Sequence, residues 1–137
     1  MTAIADAEAL VARYIEEVWN QGDLASLDAL TAPGFEYRLG GQPPRDRAAF
    51  AEFLAQTRTA FPDWRVEPDH IIADPEGVAV RWHARATHRG RFHGILPTGR
   101  TIRVTGINLY AIEQGRIASE WEETDTLAIL QQLGVPF

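Results

Sequence analysis

Of the 137 residues, those able to move protons or hold charge are 19 Asp and Glu, four His, three Tyr and 13 basic residues, all of them Arg. The absence of Cys removes thiolate nucleophiles, thiolate metal sites and disulfides, and the absence of Lys removes Schiff-base chemistry and lysine-bound pyridoxal phosphate. Ser occurs only at Ser26 and Ser119, and neither sits in the Gly-x-Ser-x-Gly turn that exposes a hydrolase nucleophile. Chemistry therefore has to come from carboxylates, His, Tyr or Arg. These are unevenly spread: residues 81–103 hold six Arg, three His and no acid, whereas residues 113–125 hold five acids and one Arg. Neighbouring segments of opposite sign brace each other or a subunit contact. The net charge of −6 counts against nucleic acid or an anionic membrane as partner. No two His have the spacing of a dedicated metal site, so no metal is expected.

The elements that carry these residues follow from hydrophobic period. Leu10, Val11, Tyr14, Ile15, Val18 and Trp19 lie three and four apart and predict an amphipathic helix from Ala7, stopped by Asn20-Gln21-Gly22. Asp23 is placed to cap a second helix bearing Leu24, Leu27 and Leu30, and Asp46 a third whose face is Ala49, Phe50, Phe53, Leu54 and Thr57. A short strand is expected at 35–39. From Trp64 the period becomes two, with strands expected at 64–73, 78–89, 101–112 and 116–124 and a short helix at 127–133. Helices followed by a meander predict one α+β domain over residues 1–137, its helices packed on one face of a curved antiparallel sheet. The N-terminal segment carries acids and no long apolar run, which predicts neither signal peptide nor membrane span and makes the cytoplasm the default location.

The last two strands meet at the two-residue turn Gln114-Gly115, so Ile112 is expected to face Ile117, Tyr110 to face Ser119, Asn108 to face Trp121, Gly106 to face Glu123 and Val104 to face Asp125. On the preceding strand the apolar parity is Val78, Val80, Trp82, Ala84, Ala86 and His88. The helix-facing concavity then contains Trp82, His88, Asn108, Tyr110, Trp121, Glu123 and Asp125. Ala84, Ala86 and Gly106 leave room in its middle, which describes a lined cavity rather than a filled core. Arg81, His83, Arg85, Arg103, Glu120 and Glu122 fall on the convex side, where alternating charge suits a subunit contact.

The run Gly94-Ile95-x-Pro97-Thr98-Gly99-Arg100, then Gly106-Ile107-x-Leu109-Tyr110, Gly115-Arg116-Ile117, Trp121-x-x-x-Asp125 and Leu130-x-Gln132-Leu133-Gly134, resembles the SnoaL-like polyketide cyclases. Tyr14 with Trp19-Asn20-x-Gly22-Asp23, and Phe61-Pro62-Asp63-Trp64, extend the resemblance over nearly the whole chain. It implies the NTF2-like cone, a deep pocket between sheet and helices, and cofactor-free intramolecular aldol closure of a polyketide-like ester by a homo-oligomer, a dimer or a tetramer. By the same resemblance Asp125 is the general acid/base. His88 and Asn108, together with Tyr14, are then candidate donors to the electrophilic carbonyl, an effect worth on the order of 100-fold per donor. Tyr14, Trp19, Phe50, Phe53, Trp82, Tyr110, Trp121 and Glu123 are the candidate substrate-binding residues.

Asp125 has a competing reading. It stands at the start of the final helix, where Asp caps backbone N–H groups, and a capping carboxylate is a poor base; Thr124 is an alternative cap. Two other functions stay open on the same cone. An epoxide hydrolase needs a second acid, for which Glu123 or Glu36 is available, and a non-enzymatic pocket would simply hold a hydrophobic metabolite.

Overall fold

The computed structural model describes residues 3–136. Helix α1 (Ile4–Tyr14) buries Ala7, Val11 and Tyr14, then continues as a π-helical turn through Ile15–Asn20 that keeps Ile15, Val18 and Trp19 on the same face. The widened turn ends where the Asn20 amide pairs with the Val66 backbone, accepting from its N–H at 2.7 Å and donating to its C=O at 3.1 Å. Helix α2 (Leu24–Leu30) is capped by Asp23, which accepts from the Ala25 and Ser26 N–H groups, and α3 (Arg47–Ala60) by Asp46, which accepts from Ala49. Both caps stand where the sequence predicts them.

The sheet has six strands: β1 (Thr31–Leu39), β2 (Arg45–Asp46), β3 (Arg65–Asp74), β4 (Gly77–Thr87), β5 (Thr101–Glu113) and β6 (Arg116–Thr124), in the order β2-β1-β6-β5-β4-β3. The meander β3–β6 is antiparallel as expected. The sheet as a whole is mixed, because β1 joins β6 in parallel, a pairing no local pattern signals. At the other edge β3 contains Pro68, tolerated there because an edge strand need not donate, and a bulge between Pro68 and His70 leaves Asp69 to meet the His83 ring at 2.8 Å. Helix α4 (Thr126–Gln132) closes the cone. Its Gln132 amide pairs with Arg103 in both directions, donating to the C=O at 2.8 Å and accepting from the N–H at 2.9 Å.

One register differs from the expected one, and it inverts a strand face. Ile112 does oppose Ile117, but Ala111 then opposes Ser119, so Ala118 is an extra residue in β6 and every later pair is displaced by one. Because side chains alternate faces, a one-residue bulge turns Glu120 and Glu122 inward and Trp121 and Glu123 outward. Glu120 is fully buried, while Trp121 is 48% exposed with the Arg38 guanidinium 4.7 Å above its ring. The expectation of Trp121 inside the concavity and of Glu120 and Glu122 on the convex face is thus reversed.

The second correction concerns the space left by small residues. A Cβ on Gly106 would lie 2.4 Å from Trp82 Cζ2 and 2.7 Å from the Glu123 carbonyl, so Gly106 makes room for the Trp82 indole rather than for a ligand. Gly106→Ala is expected to destabilise the fold by about 1–3 kcal/mol through overpacking, read as a lower midpoint in urea unfolding. An unchanged midpoint would mean that Trp82 relocates at no cost.

Candidate active site

Glu120 and Glu122 stand two apart on the inward face of β6, opposite Tyr110 and Asn108 of β5. Glu120 accepts four hydrogen bonds: from Tyr14 Oη at 2.6 Å, Trp19 Nε1 at 2.9 Å, Tyr110 Oη at 2.8 Å and Asn108 Nδ2 at 2.8 Å. Glu122 accepts from Tyr37 Oη at 2.8 Å, from Thr124 Oγ1, and at 3.4 Å from Asn108. Asn108 is oriented in turn by Trp82, whose Nε1 donates to Oδ1 at 2.9 Å. The helix α1 with its π turn, β1, β4 and β5 each contribute a donor, and no Arg takes part.

Burying two carboxylates without a cation raises both acidities' midpoints, since desolvation disfavours the anion. Burial, followed by the neighbouring Glu122 charge, pushes Glu120 up to about 7 against the pull of its donors. Glu122 is raised too, mainly by burial, with Thr124, Tyr37 and Asn108 opposing the shift. Tyr14, Tyr37 and Tyr110 move well above the ordinary phenol value because burial and the adjacent carboxylates both penalise a phenolate. Each donates to a carboxylate, and Tyr110 Oη also accepts from Asn108 Nδ2 at 3.5 Å.

The approach to this cluster is a funnel. An outer cleft of about 390 Å³ is lined by Arg45, Phe53, Arg91, Phe92, His93 and Glu123 among others. It narrows to a throat of about 60 Å³ between Trp19, Phe53, Phe61, Trp64, Phe92 and Glu122. A last void of about 10 Å³ lies among Trp19, Trp64, Trp82, Asn108, Tyr110 and Glu122. Glu122 lines both inner chambers; Glu120 lies behind it among its donors. Trp64 also lines both, and its Nε1 is buried with no hydrogen-bond partner, unlike those of Trp19 and Trp82. Unpaired buried donors are uncommon because each forfeits its hydration.

The residues expected at the site divide accordingly. Trp19, Phe53, Trp82, Asn108 and Tyr110 line the throat or inner void, and Tyr14 and Phe50 are wholly buried in the wall around them. Glu123 is exposed and reaches only the outer cleft, and Trp121 faces away from it. His88 is buried on Phe61, at 5.5 Å between ring centres, without lining the funnel. Its Nδ1 accepts from the Thr98 N–H at 3.1 Å, which puts the ring proton on Nε2, a buried atom with no partner. Asp125 is exposed and caps α4, accepting from the Ala128 N–H at 3.1 Å, outside the carboxylate cluster. Glu120, Glu122, Tyr37 and Trp64 are the site residues the sequence reading missed. The two glutamates were hidden by the bulge alone.

The family model for SnoaL-like polyketide cyclases matches residues 9–133. The chain belongs to that family. Among solved structures, it is 33% identical to IdmH, a candidate polyketide cyclase of Streptomyces antibioticus, with 94% of this chain and 99% of that chain covered and a TM-score of 0.83. A candidate polyketide cyclase of Acidithiobacillus ferrooxidans is 29% identical over 97% of each chain, also with a TM-score of 0.83. At 24% identity and a TM-score of 0.87, AclR, a candidate hydroxylase of Streptomyces galilaeus, shares the fold over 98% of this chain and 89% of its own. No curated protein matches the sequence significantly. In this SnoaL-like chain no described helix is long and apolar enough to cross a membrane, and no three described His, Asp or Glu converge as a metal would need.

Proposed function

We propose that this SnoaL-like protein closes a ring in a polyketide-like substrate by an aldol reaction, using a buried glutamate as acid and base and no cofactor. The observation that carries this reading is the position of Glu122: it lines the throat, has its pKa raised by burial, and has no Arg among its hydrogen-bond partners. A carboxylate so placed is a stronger base than one in water. It removes a proton from carbon between two carbonyls, and the resulting enolate attacks an aldehyde or ketone carbon of the same molecule. The alkoxide formed takes the proton back from the Glu122 carboxylic acid. One C–C bond is made, one C=O becomes C–OH, and the product is an isomer of the substrate. The unpartnered Trp64 Nε1–H is the donor best placed for the carbonyl oxygen on which enolate charge collects. The throat at about 60 Å³ has room for roughly two water molecules, so a ring reaches Glu122 only when side chains lining it move aside.

The resemblance assigns the base to Asp125, and that second reading is tested beside the first. Substrate deuterium uptake from heavy water at the carbon between the carbonyls, followed by mass spectrometry, reports proton transfer even when ring closure fails. Loss of this exchange in Asp125→Asn with retention in Glu122→Gln would move the base to Asp125.

The assembly expected from sequence has a face to use. Ile72, Leu109 and Trp121 form one exposed row across β3, β5 and β6, with Arg81, Arg85, Arg103, Glu67 and Asp69 all on the same side of it. A second copy about a two-fold axis covers the row and buries its apolar side chains. Leu109→Arg is expected to turn a dimer into a monomer in sedimentation; a monomeric parent protein refutes the proposal.

A further inference from the structure

The outer cleft carries a charge that proton transfer at Glu122 does not explain. The chain has a net charge of −6, yet the cleft lining contains Arg45, Arg91 and His93 against one acid, Glu123. Among the described residues the ion pairs involve Arg13, Arg38, Arg47, Arg65 and His83, and neither Arg45 nor Arg91. Arg45 is held in place all the same. Its guanidinium carbon lies 4.5 Å from the centre of the Phe53 ring, and Nη2 donates to Gln42 Oε1 at 3.1 Å. Its Nη1 is buried and has no partner. A guanidinium stacked on an aromatic face keeps its edge N–H groups in one plane, the arrangement that grips the two oxygens of a carboxylate. Leaving such a group unpaired costs more than leaving a neutral donor unpaired. An anion is the partner that satisfies such a group best.

From this geometry we infer that the cleft is a carboxylate subsite, and that the substrate is a flat apolar molecule bearing a free carboxylate at the end opposite its reacting carbon. Arg45 supplies the fork and Arg91, which lines the same cleft, the second positive charge. Arg45 is the cross-strand neighbour of Tyr37, whose hydroxyl holds Glu122. An anion on Arg45 thus places the apolar body in the throat with its far end toward the base. The inference rests on the funnel being the substrate site, and it replaces the ester expected there with an acid.

The test compares 2-naphthoate with methyl 2-naphthoate by calorimetric titration of the whole chain. The expected result is at least ten-fold tighter binding of the acid at low salt, a preference that shrinks as salt is added and disappears in Arg45→Gln. Arg91→Gln is expected to reduce it several-fold and serves if Arg45→Gln does not fold. Equal affinities, no binding of either compound, or a preference that survives both substitutions overturns the inference. Glu122→Gln separates the two proposals. It should keep the acid preference while losing exchange at carbon, so a lost preference counts against the subsite alone and retained exchange against the base alone.

Discussion

Glu122→Gln is expected to lower the rate of proton exchange and of ring closure by about 10²- to 10⁴-fold, the range over which a positioned acid or base contributes. Binding should change little, because Gln has the same shape, its amide oxygen still accepts from Tyr37 Oη, and its amide nitrogen can donate to Thr124 Oγ1. Asp125→Asn should change turnover by less than a few-fold, since Asn also caps a helix and this side chain stands outside the cluster. The choice of Glu122 over Glu120 follows from their partners. Glu120 is held by four donors, three of them on Oε2, and lines neither the cleft nor the two inner chambers. Glu122 has three partners, one of them a distant 3.4 Å contact, and faces the throat. An equal loss in Glu120→Gln at full foldedness would show that the two share one proton and act as a unit.

Stability is expected to fall as pH rises from 5 to 8, the reverse of the acid sensitivity usual for proteins with paired carboxylates. Burial pushes Glu120 up to about 7 in the folded chain against 4.5 for an ordinary glutamate, so the native state holds a proton that the unfolded state has lost. The stabilisation is complete below the unfolded value and disappears as pH passes the folded one. The rise from 4.5 to about 7 corresponds to roughly 3 kcal/mol. Glu122 shifts in the same direction and steepens the slope. Glu17, Asp23 and Asp63, whose values are lowered, act at more acid pH and leave this window alone. Urea unfolding of the parent chain at pH 5 and pH 8 measures the slope, and Glu120→Gln should flatten it. A parent chain at least as stable at pH 8 would show Glu120 to be anionic throughout, neutralised by its donors.

The cost of burying that pair also bears on function. A core that places two carboxylates among three Tyr, two Trp and one Asn is less stable near neutral pH than an apolar core of equal volume. Its geometry fixes Glu122 on a strand rather than a loop, with Asn108 and Trp82 behind it, which is what a base aimed at one carbon requires.

Local rules made most of the architecture readable. The caps at Asp23 and Asp46, the period of α1 and the alternation of β4 and β5 each depend on neighbours within a few residues, and each is found where expected. So is the inward set Trp82, Asn108 and Tyr110. The family too was legible, because glycines, turns and aromatics in a fixed order survive as a pattern. What sequence alone could not decide was the face of β6 and the partner of β1. Both depend on long-range pairing: Ala118 slips out of register where β6 must meet β5 on one side and β1 in parallel on the other. That single extra residue exchanges Trp121 and Glu123 for Glu120 and Glu122. It moves the buried acid from the end of the strand to its middle, since a pleated strand has two faces and its alternation pattern carries no mark of which residue is skipped.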